Sequence, residues 1–397
     1  MKRVLAIVLL LGAWGMSWAQ APAQSTLNIP PGGVAPQPLA DPSAPLPPPS
    51  RSRVLLAERP TVVDRFNIHP AAVADLWQDA LLHFTRQMTP AAAWKALGVT
   101  PADTVGIKVC TNGSDLMSTR PALVDAIARS LVAAGVPPSQ IVVWDRNRQT
   151  LDGTTYGNPP PGAPYGVKAV VPDTGFDPKV FYVNEIIGRL IWGDLLFRGK
   201  TTRDKLLQQA DASVDQSLGQ KEAQANAGEM KQEMADQTSN RSYFARLVTQ
   251  TCTKLVNVPV MIDNPNLGLD GCLANLAVDS VDNNRRFQED SNGDPAVSEI
   301  LDRDLFRKKV VLHVMDGIVA EYAGGPSLNP ANTQSIGALY LSTDPVAIDS
   351  LVLQRMETWR AEAKVVPIGE LAKHIRGARD AGLGFSDPKR IELVKIP

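Results

Sequence analysis

Polar and charged side chains stand at or directly after the ends of several apolar segments that are typical of buried β-strands. The residues that share this position are Lys108, Asn112, Asp145, Arg146, Asp263, Asn264, Asp316 and Asp344. In an open parallel sheet, ligands bind outside the carboxyl ends of the strands. If these strands run parallel, we expect the side chains to gather along one edge of the sheet and to form a binding or catalytic site there.

Carboxylate and amide oxygens in this set could bind a metal ion. Asp263, Asp316 and Asp344, together with Asn264, offer the hard oxygen ligands that suit Mg²⁺ or Ca²⁺. A divalent metal is therefore one hypothesis for a cofactor, although the spacing of these residues forms no recognised metal-binding loop. Asp316 or Asp263 could instead act as a general base.

Basic side chains offer a second chemistry, the binding of an anionic group. The candidate residues are Lys108, Arg146, Arg285 and Arg286, with the backbone of Gly324 and Gly325 close by. Guanidinium groups bind carboxylates and phosphates through paired hydrogen bonds, and successive backbone N–H groups can form an anion-binding concavity. A small anionic ligand is thus the alternative hypothesis for this edge.

Each of these residues also has an interpretation that needs no ligand. Asp and Asn are common in turns, and Asp344 stands where a charge at a helix start complements the helix dipole. Surface salt bridges would explain the polar cluster at 282–287. His313 lies inside an apolar strand, where alternation places it on the face of Val311 and Met315, and is interpreted as a core histidine.

Strands and helices alternate along the chain from residue 53 onward. Apolar strands are predicted at 104–110, 140–146 and 309–315, and helices at 118–136 and 343–359. Continuously apolar strands separated by helices are typical of parallel sheets that are buried on both faces. The sequence therefore predicts an α/β fold with a mostly parallel sheet flanked by helices.

Other parts of the chain differ from this core in composition. Residues 1–21 combine a basic start, a short apolar stretch and small residues suited to cleavage, which indicates a secretory signal peptide and a periplasmic or extracellular location. The Pro-rich segment 22–52 is expected to be a disordered spacer, and 53–397 to be the folded domain. Within that domain, 199–240 is polar and is interpreted as a helical insertion that could dock a protein partner. The apolar stretch is shorter than the ~20 residues of a membrane span, so none is expected after cleavage.

Charge and cysteine content argue against two classes of protein. The 40 basic and 41 acidic residues nearly balance and form no basic stripe, so nucleic acid is not expected as a partner. Cys110, Cys252 and Cys272 are too few and too scattered for a zinc or iron–sulfur site. Cys252 and Cys272 could form a disulfide in an oxidising compartment; the alternative is that they are buried free thiols.

Several blocks of the sequence resemble the domain-of-unknown-function 362 family. In chain order they are VGIKV, STRPALVDAIARSLVAAGVPPSQIVVWDR, LVNVPVMIDN with GLDGCLANLA, VMDGIVAEYAGGP and STDPVAIDS. The resemblance covers about residues 104–396. It implies that the positions matching the family are Lys108, Asp145, Asn275, Asp316, Gly325 and Asp344.

The same resemblance shows where this chain departs from the family pattern. Members commonly carry Lys and His where this chain has Asp263 and Asn264, and a Lys where it has Ala274. Members described as iron–sulfur proteins carry a ferredoxin-like cysteine cluster, which this sequence lacks. We therefore expect no iron–sulfur cluster and infer no redox role.

Two functions are consistent with the sequence. One is an exported enzyme that acts on a small anionic substrate, with Asp316, Asp263 and Lys108 as the candidate catalytic residues and Arg146 holding the anion. The other is a non-catalytic exported protein that binds a ligand at the same edge, or a partner through 199–240.

Overall fold

The structure is a computed structural model that describes residues 50–189, 238–288 and 293–397 of the chain. The predicted signal peptide lies outside the described residues, as do nearly all of the Pro-rich segment and of the polar segment 199–240. No helix in the described ranges is long and apolar enough to cross a membrane.

Strands and helices alternate along most of the described chain, as the sequence predicts. The strands are β1 (Ser52–Glu58), β2 (Val63–Asp64), β3 (Asn67–Ile68), β4 (Val105–Val109), β5 (Ile141–Asn147), β6 (Gly166–Val171), β7 (Phe176–Arg189), β8 (Thr238–Ala245), β9 (Lys254–Val258), β10 (Val260–Asn264), β11 (Gly268–Leu269), β12 (Val310–Glu321), β13 (Thr333–Ser342) and β14 (Ile391–Ile396). The α-helices are α1 (Pro70–Thr85), α2 (Pro90–Ala96), α3 (Pro121–Ala133), α4 (Arg148–Asp152), α5 (Cys272–Ala277), α6 (Gly293–Leu301), α7 (Asp304–Arg307), α8 (Pro345–Glu362) and α9 (Lys373–Asp380).

Ten strands form one central sheet, whose order is β14-β1-β13-β12-β9-β4-β5-β6, with β10 beside the second half of β12 and β11 paired to β10. The pairs β14–β1, β12–β9, β9–β4, β4–β5, β5–β6 and β10–β12 are parallel. Strand β13 is antiparallel to both of its neighbours, β1 and β12. The prediction of an α/β fold with a mostly parallel sheet flanked by helices is confirmed.

An apolar core on each face of the sheet explains why the strands are apolar throughout. On one face α1 and α3 pack against the strands, with Trp77 at the centre; on the other face lie α5, α6, α8 and α9, with Leu273 in the core. Because side chains alternate between the faces of a strand, β4 directs Ile107 towards α1 and α3. It directs Lys108 towards α5, which brings a charged group into the second core.

An irregularity near the start of β12 changes the predicted faces of its side chains. The pairing between β12 and β9 shifts in register there. Val311 therefore joins the core of α1 and α3, whereas Met315 joins the core on the other face. His313 contacts Asn257 on the side of α5. The prediction that His313 shares a face with both residues is thus wrong for Val311.

The start of α8 shows how one of the candidate residues is used. The sequence at the start of this helix, TDPVAIDS, predicts Thr343 as its cap. Asp344 is instead the N-cap residue, and its carboxylate accepts a hydrogen bond from the Ala347 N–H at 2.9 Å. A carboxylate at this position satisfies a free backbone donor and complements the helix dipole. The interpretation of Asp344 as a helix-start charge is confirmed.

A β-hairpin replaces a predicted helix. The sequence RSYFARLVTQTCT, residues 241–253, predicts a helix. Its first five residues instead belong to β8, which pairs antiparallel with β7, so the prediction is wrong over that part. A π-helical turn at Leu247–Thr251 follows the strand. Segment 182–197, for which the sequence favours neither helix nor strand, is strand up to the end of the described range at 189. Residues 238–240 of the predicted helical insertion are also strand, because pairing with β7 outweighs local helix propensity.

Strand β12 continues past the point where the sequence predicts its end. Asp316 and Gly317 pair with Leu339 and Ala338 of β13, and the strand extends to Glu321. Asp316 therefore lies within a strand and not at its carboxyl end. The charged side chain of Asp316 interrupts the apolar run, but the backbone hydrogen bonds between β12 and β13 continue past it.

The turn after β12 is fastened to the end of β10 by one carboxylate. Asp263 accepts hydrogen bonds from the N–H groups of Gly324, at 3.2 Å, and Gly325, at 2.7 Å. Gly324 has a φ of +111°, in the region that favours glycine, and a Cβ on Gly325 would lie 2.2 Å from the Asp263 carbonyl oxygen. Both glycines are thus required by the close approach of two chain segments.

We expect Gly325→Ala to lower the free energy of unfolding by about 1–3 kcal/mol, because the added methyl group forces the backbones apart. Urea denaturation of the variant and the parent chain measures this. Gly166→Ala is the matched control, since a Cβ there meets open space, and it should change stability by less than about 0.5 kcal/mol. Equal effects of the two substitutions would contradict the assignment.

Candidate functional site

A polar cleft of about 380 Å³ lies at the carboxyl edge of the sheet, beyond the ends of β4, β5 and β10. We call it the carboxyl-edge cleft. Its polar lining consists of Asn112, Arg146, Asn147, Asn264, Asn266, Asp270, Asp279, Asn284, Arg285 and Gln288. Four of the residues predicted from the sequence, Asn112, Arg146, Asn264 and Arg285, are brought together here.

Lys108 is buried behind the wall of this cleft and does not line it. Its Nζ donates to Asp145 Oδ1 at 2.7 Å, to Asn275 Oδ1 at 2.9 Å and to Asp279 Oδ2 at 3.0 Å. It also lies 2.6 Å from the Val109 carbonyl oxygen. An ammonium group has three hydrogens, so these acceptors occupy it fully. Lys108 therefore joins the predicted residues Asp145 and Asn275 in one buried network.

The charge of Lys108 is maintained by its partners. Burial by itself lowers the pKa of this ammonium, but the negative charges of Asp145 and Asp279 outweigh burial and raise its pKa above the ordinary value. A buried charge that loses its partner costs about 3–5 kcal/mol. Lys108 is thus a permanently charged anchor for both carboxylates, and it has no free hydrogen for a ligand.

Asp145 uses its position beside Lys108 to hold the cleft wall. Its Oδ2 accepts from the Thr111 N–H at 2.9 Å, and its Oδ1 accepts from the Arg146 N–H at 2.7 Å. Arg146 itself lines the cleft, and its guanidinium lies 5.4 Å from the Phe176 ring centroid and donates to the Val281 carbonyl oxygen. The chain after β4 and the end of β5 are therefore positioned by one carboxylate.

Asp270 differs from the other carboxylates near the cleft. Its Oδ1 accepts a hydrogen bond from Asn264 Nδ2 at 3.0 Å, while its Oδ2 is buried and has no partner among the described residues. The side chain lines the cleft although the residue is only 7% exposed. A buried carboxylate oxygen without a donor is uncommon in folded proteins. It marks Asp270 as a group whose partner would enter from the cleft.

The surroundings of Asp270 raise its pKa to about 6. Burial is the main cause, and the negative charge of Asp279 acts in the same direction. Asn264, Lys108 and Asn112 offset part of this effect. Asp270 therefore changes its protonation state close to neutral pH, which is the range in which a general acid or base is most effective.

The three predicted arginines are used in different ways. Arg146 and Arg285 both line the cleft, and Arg285 is exposed. Arg286 points elsewhere: it is buried, donates to Ser242 Oγ at 2.9 Å and to the Ile186 carbonyl oxygen, and so supports the hairpin of β7 and β8. The predicted pair of neighbouring arginines thus separates into one cleft residue and one packing residue.

Asp263 and Asp316, both predicted to act on a ligand, are committed to backbone groups. The oxygens of Asp263 bind the turn at Gly324–Gly325 and an ion pair with Arg360 at 3.3 Å, so neither glycine N–H is available to an anion. Asp316 is completely buried and accepts from the N–H groups of Arg120 at 2.7 Å and Ile318 at 3.1 Å. Burial raises the pKa of Asp316, and the charge of Arg120 opposes that effect.

Asp344 does not belong to the carboxyl edge at all. Since β13 is antiparallel, its end lies at the opposite edge of the sheet, beside the start of β1, where Ser52 donates to Asp344. The N–H of Phe385 also donates to it, at 2.9 Å. The expectation that Asp344 joins the other strand ends is therefore wrong. Its hydrogen bonds are those of a residue that fastens chain segments together.

The predicted oxygen ligands do not assemble into a metal centre. Asp263, Asp316 and Asp344 lie in separate environments, and no group of three or more His, Cys, Asp or Glu within 50–189, 238–288 and 293–397 is arranged to hold a metal ion. Cys110, Cys252 and Cys272 are buried free thiols. The alternative of free thiols is confirmed over the Cys252–Cys272 disulfide.

Two carboxylates of the cleft, Asp270 and Asp279, are absent from the residues predicted from sequence. Asp270 follows the short β11, and Asp279 follows α5, so neither stands at the end of a long apolar strand. The signal that could have indicated them is the Gly-Leu-Asp-Gly stretch at 268–271, where a charged residue stands between buried apolar ones. Asn266 and Asn284 also follow no long apolar strand. Asn147 is the last residue of β5, one position beyond the predicted strand end at Arg146, and was not among the predicted residues.

We expect Asp270→Asn to raise the free energy of unfolding at pH 7 by about 1–3 kcal/mol. The folded chain binds the Asp270 proton more tightly than the unfolded chain, so its contribution to stability is full below about pH 4 and is lost as pH rises towards about 6. An asparagine at 270 does not ionise, so the variant does not lose this stability at pH 7. Its side-chain oxygen can still accept the hydrogen bond from Asn264. Urea denaturation at pH 4 and pH 7 measures the difference, which should be small at pH 4.

Asp75→Asn is the matched control, because Asp75 is exposed on α1 and should leave stability nearly unchanged at both pH values. If Asp270→Asn destabilised the chain at pH 7, Asp270 would be a structural carboxylate like Asp263.

The comparisons with known proteins identify a family without an activity. The family model described as Domain of unknown function (DUF362) matches residues 205–354. No curated protein and no solved structure matches the chain. The matched segment contains β9, β10, β12, β13 and α5, and with them Asp270, Asn275 and Asp279 of the cleft and its buried network. The family match therefore supports, over residues 205–354, the resemblance to the domain-of-unknown-function 362 family that the sequence blocks predict.

Proposed function

We propose that the chain binds a small polyhydroxylated anion in the carboxyl-edge cleft and that Asp270 accepts a hydrogen bond from one of its hydroxyl groups, in the position of a general base. The observation that carries this proposal is the unpartnered Oδ2 of Asp270 in the same cleft as two guanidinium groups, those of Arg146 and Arg285. A buried acceptor is stabilised by a hydrogen-bond donor, which the ligand would supply. Guanidinium groups bind a carboxylate or a phosphate.

The amide side chains of the cleft support a ligand with several hydroxyl groups. Asn112, Asn147, Asn266 and Gln288 line it together with the two arginines. A side-chain amide can both donate and accept hydrogen bonds, and so can a hydroxyl group, so the two bind each other readily. A volume of about 380 Å³ is large enough for a molecule of the size of a hexose phosphate. A sugar phosphate or a sugar acid combines these features.

The pKa of Asp270 supports proton transfer in addition to binding. A carboxyl group with a pKa of about 6 is ionised at neutral pH but holds a proton more readily than an ordinary aspartate. In its ionised form it can therefore accept a hydrogen bond from a bound hydroxyl, and it is suited to act as a general base when that oxygen forms a new bond as its proton leaves. Asp279, held by Lys108 at 3.0 Å, keeps a second negative charge nearby and supports the high proton affinity of Asp270.

Titration calorimetry with glucose 6-phosphate and gluconate, and with glucose as the neutral reference, tests the binding. We expect both anions to bind at least about tenfold more tightly than glucose, because hydrogen bonds between a guanidinium and an anionic group add to the binding free energy. Arg285→Gln should remove most of that advantage, and Asp270→Ala should weaken all three ligands. Binding beside Asp270 should change its pKa and so exchange a proton with the buffer, which makes the measured heat of gluconate binding depend on the buffer. Asp270→Asn should retain binding but remove this dependence.

The matched control is Arg129→Gln, which removes an exposed arginine on α3 that does not line the cleft. Equal affinities for the anions and glucose, or equal losses in Arg285→Gln and Arg129→Gln, would rule out an anion site in this cleft. Heats of gluconate binding that do not vary with the buffer in the parent chain would contradict a ligand contact at Asp270.

We also propose that the chain is exported by the general secretory route to the periplasm or the cell exterior. The basic start, the short apolar stretch and the small residues around Ala19 and Ala21 support this. Expressed in a bacterium, the exported chain should begin after Ala19 or Ala21, as intact mass spectrometry would show. Leu10→Arg should prevent processing by interrupting the apolar stretch. An unprocessed parent chain in the cytoplasm would contradict export.

A further inference from the structure

A second cavity lies at the opposite edge of the sheet from the carboxyl-edge cleft. It has a volume of about 210 Å³ and is lined, among the described residues, by six apolar ones that include Leu276, Leu301 and Phe306, and also by Thr343 and Arg307. His313, which is only 4% exposed, contributes the ring of an imidazole to this lining. We call it the His313 cavity. Within the part of the chain that the structure describes, the His313 cavity shares no lining residue with the carboxyl-edge cleft.

The hydrogen bonds of Asn257 determine which nitrogen of His313 carries the proton. Asn257 Nδ2 donates to the Cys272 carbonyl oxygen at 2.7 Å, and since a carbonyl can only accept, the amide nitrogen must lie on that side. The same Nδ2 lies 3.0 Å from His313 Nδ1. His313 Nδ1 is therefore the acceptor, and the proton of the neutral ring is on Nε2.

The hydrogen bonds between Lys108 and Asn257 also indicate that His313 Nδ1 is the acceptor. Lys108 can only donate, so the oxygen of Asn275 must face it, at 2.9 Å. Asn275 Nδ2 then donates to Asn257 Oδ1 at 2.8 Å, which leaves the Nδ2 of Asn257 for His313. Every donor in the series points from Lys108 towards His313.

His313 stays neutral throughout the physiological pH range. Burial lowers its pKa to about 3, and a proton on Nδ1 would also face the amide hydrogens of Asn257. The Nε2–H is thus a fixed donor, and it has no acceptor among the residues of the described ranges. Because the residue is 4% exposed and lines the cavity, an acceptor for this donor would enter through the cavity.

We propose that the His313 cavity binds a small, mainly apolar molecule that carries one hydrogen-bond acceptor, which receives the Nε2–H of His313. The lining is mostly apolar and its charged residue, Arg307, is paired with Asp302, so a highly charged ligand would lose its hydration without compensation. The volume accommodates a ring with a short substituent and not a sugar phosphate. An aromatic or alicyclic ketone has the required shape and a single carbonyl acceptor.

Acetophenone and ethylbenzene form a matched pair of probes, because they differ in the carbonyl group and little in size. The purified full chain, labelled with ¹⁵N at its four histidines, is titrated with each and followed by two-bond ¹H–¹⁵N correlation spectra. We expect acetophenone to bind about threefold to tenfold more tightly than ethylbenzene, the contribution of one neutral hydrogen bond. The Nε2 signal of one histidine should shift with acetophenone only.

Two variants identify the site. His313→Phe should remove the shifting signal and make the two affinities equal. Leu301→Trp should fill the cavity and abolish binding of both probes while the spectrum of His313 keeps the Nε2–H pattern, which also shows that the variant folds. Equal binding of the probes to the parent chain, or no shift of the His313 signal at millimolar acetophenone, would overturn the proposal and leave the cavity to water.

Discussion

A lysine ammonium removed from water is the constraint around which the carboxyl edge of this protein is organised. Lys108 is completely buried and bonds acceptors from β4, β5, α5 and the turn after α5. Taking such a charge out of water costs several kcal/mol unless each hydrogen finds a well-placed acceptor. The four chain segments must therefore all be in place for Lys108 to be buried. The same hydrogen bonds hold the walls of the carboxyl-edge cleft in position.

Five buried aspartates of this fold differ from Asp270 in what they accept. Asp145, Asp263, Asp316, Asp344 and Asp349 each receive two backbone N–H groups, which fasten turns and helix starts. Such carboxylates have no capacity left for chemistry on a ligand without loss of structure. Asp270 receives one side-chain amide and nothing on its second oxygen. This difference in occupancy, more than position along a strand, separates structural carboxylates from one that is available to a ligand.

Sequence patterns predict the fold of this chain well and its site only partly. Apolar strands with helices between them indicate the sheet, and Asn112 and Arg146 were found because they follow strands that do run parallel. Asp344 was misplaced because a buried antiparallel strand has the same apolar pattern as a parallel one. Asp316 was misplaced because a distant N–H group satisfies it inside a strand. Asp270 was missed because only tertiary packing brings its turn to the cleft.

The buried charge has a consequence that reaches across the sheet. The two ends of a side-chain amide are similar in shape, so a series of them can hydrogen-bond in either direction unless its ends are fixed. Lys108 can only donate and the Cys272 carbonyl can only accept, and together they orient Asn275 and Asn257. His313 is thereby held as the tautomer that presents Nε2–H at the other edge. Lys108 therefore determines the direction of hydrogen bonding at both edges, a specificity that apolar residues of equal volume could not supply.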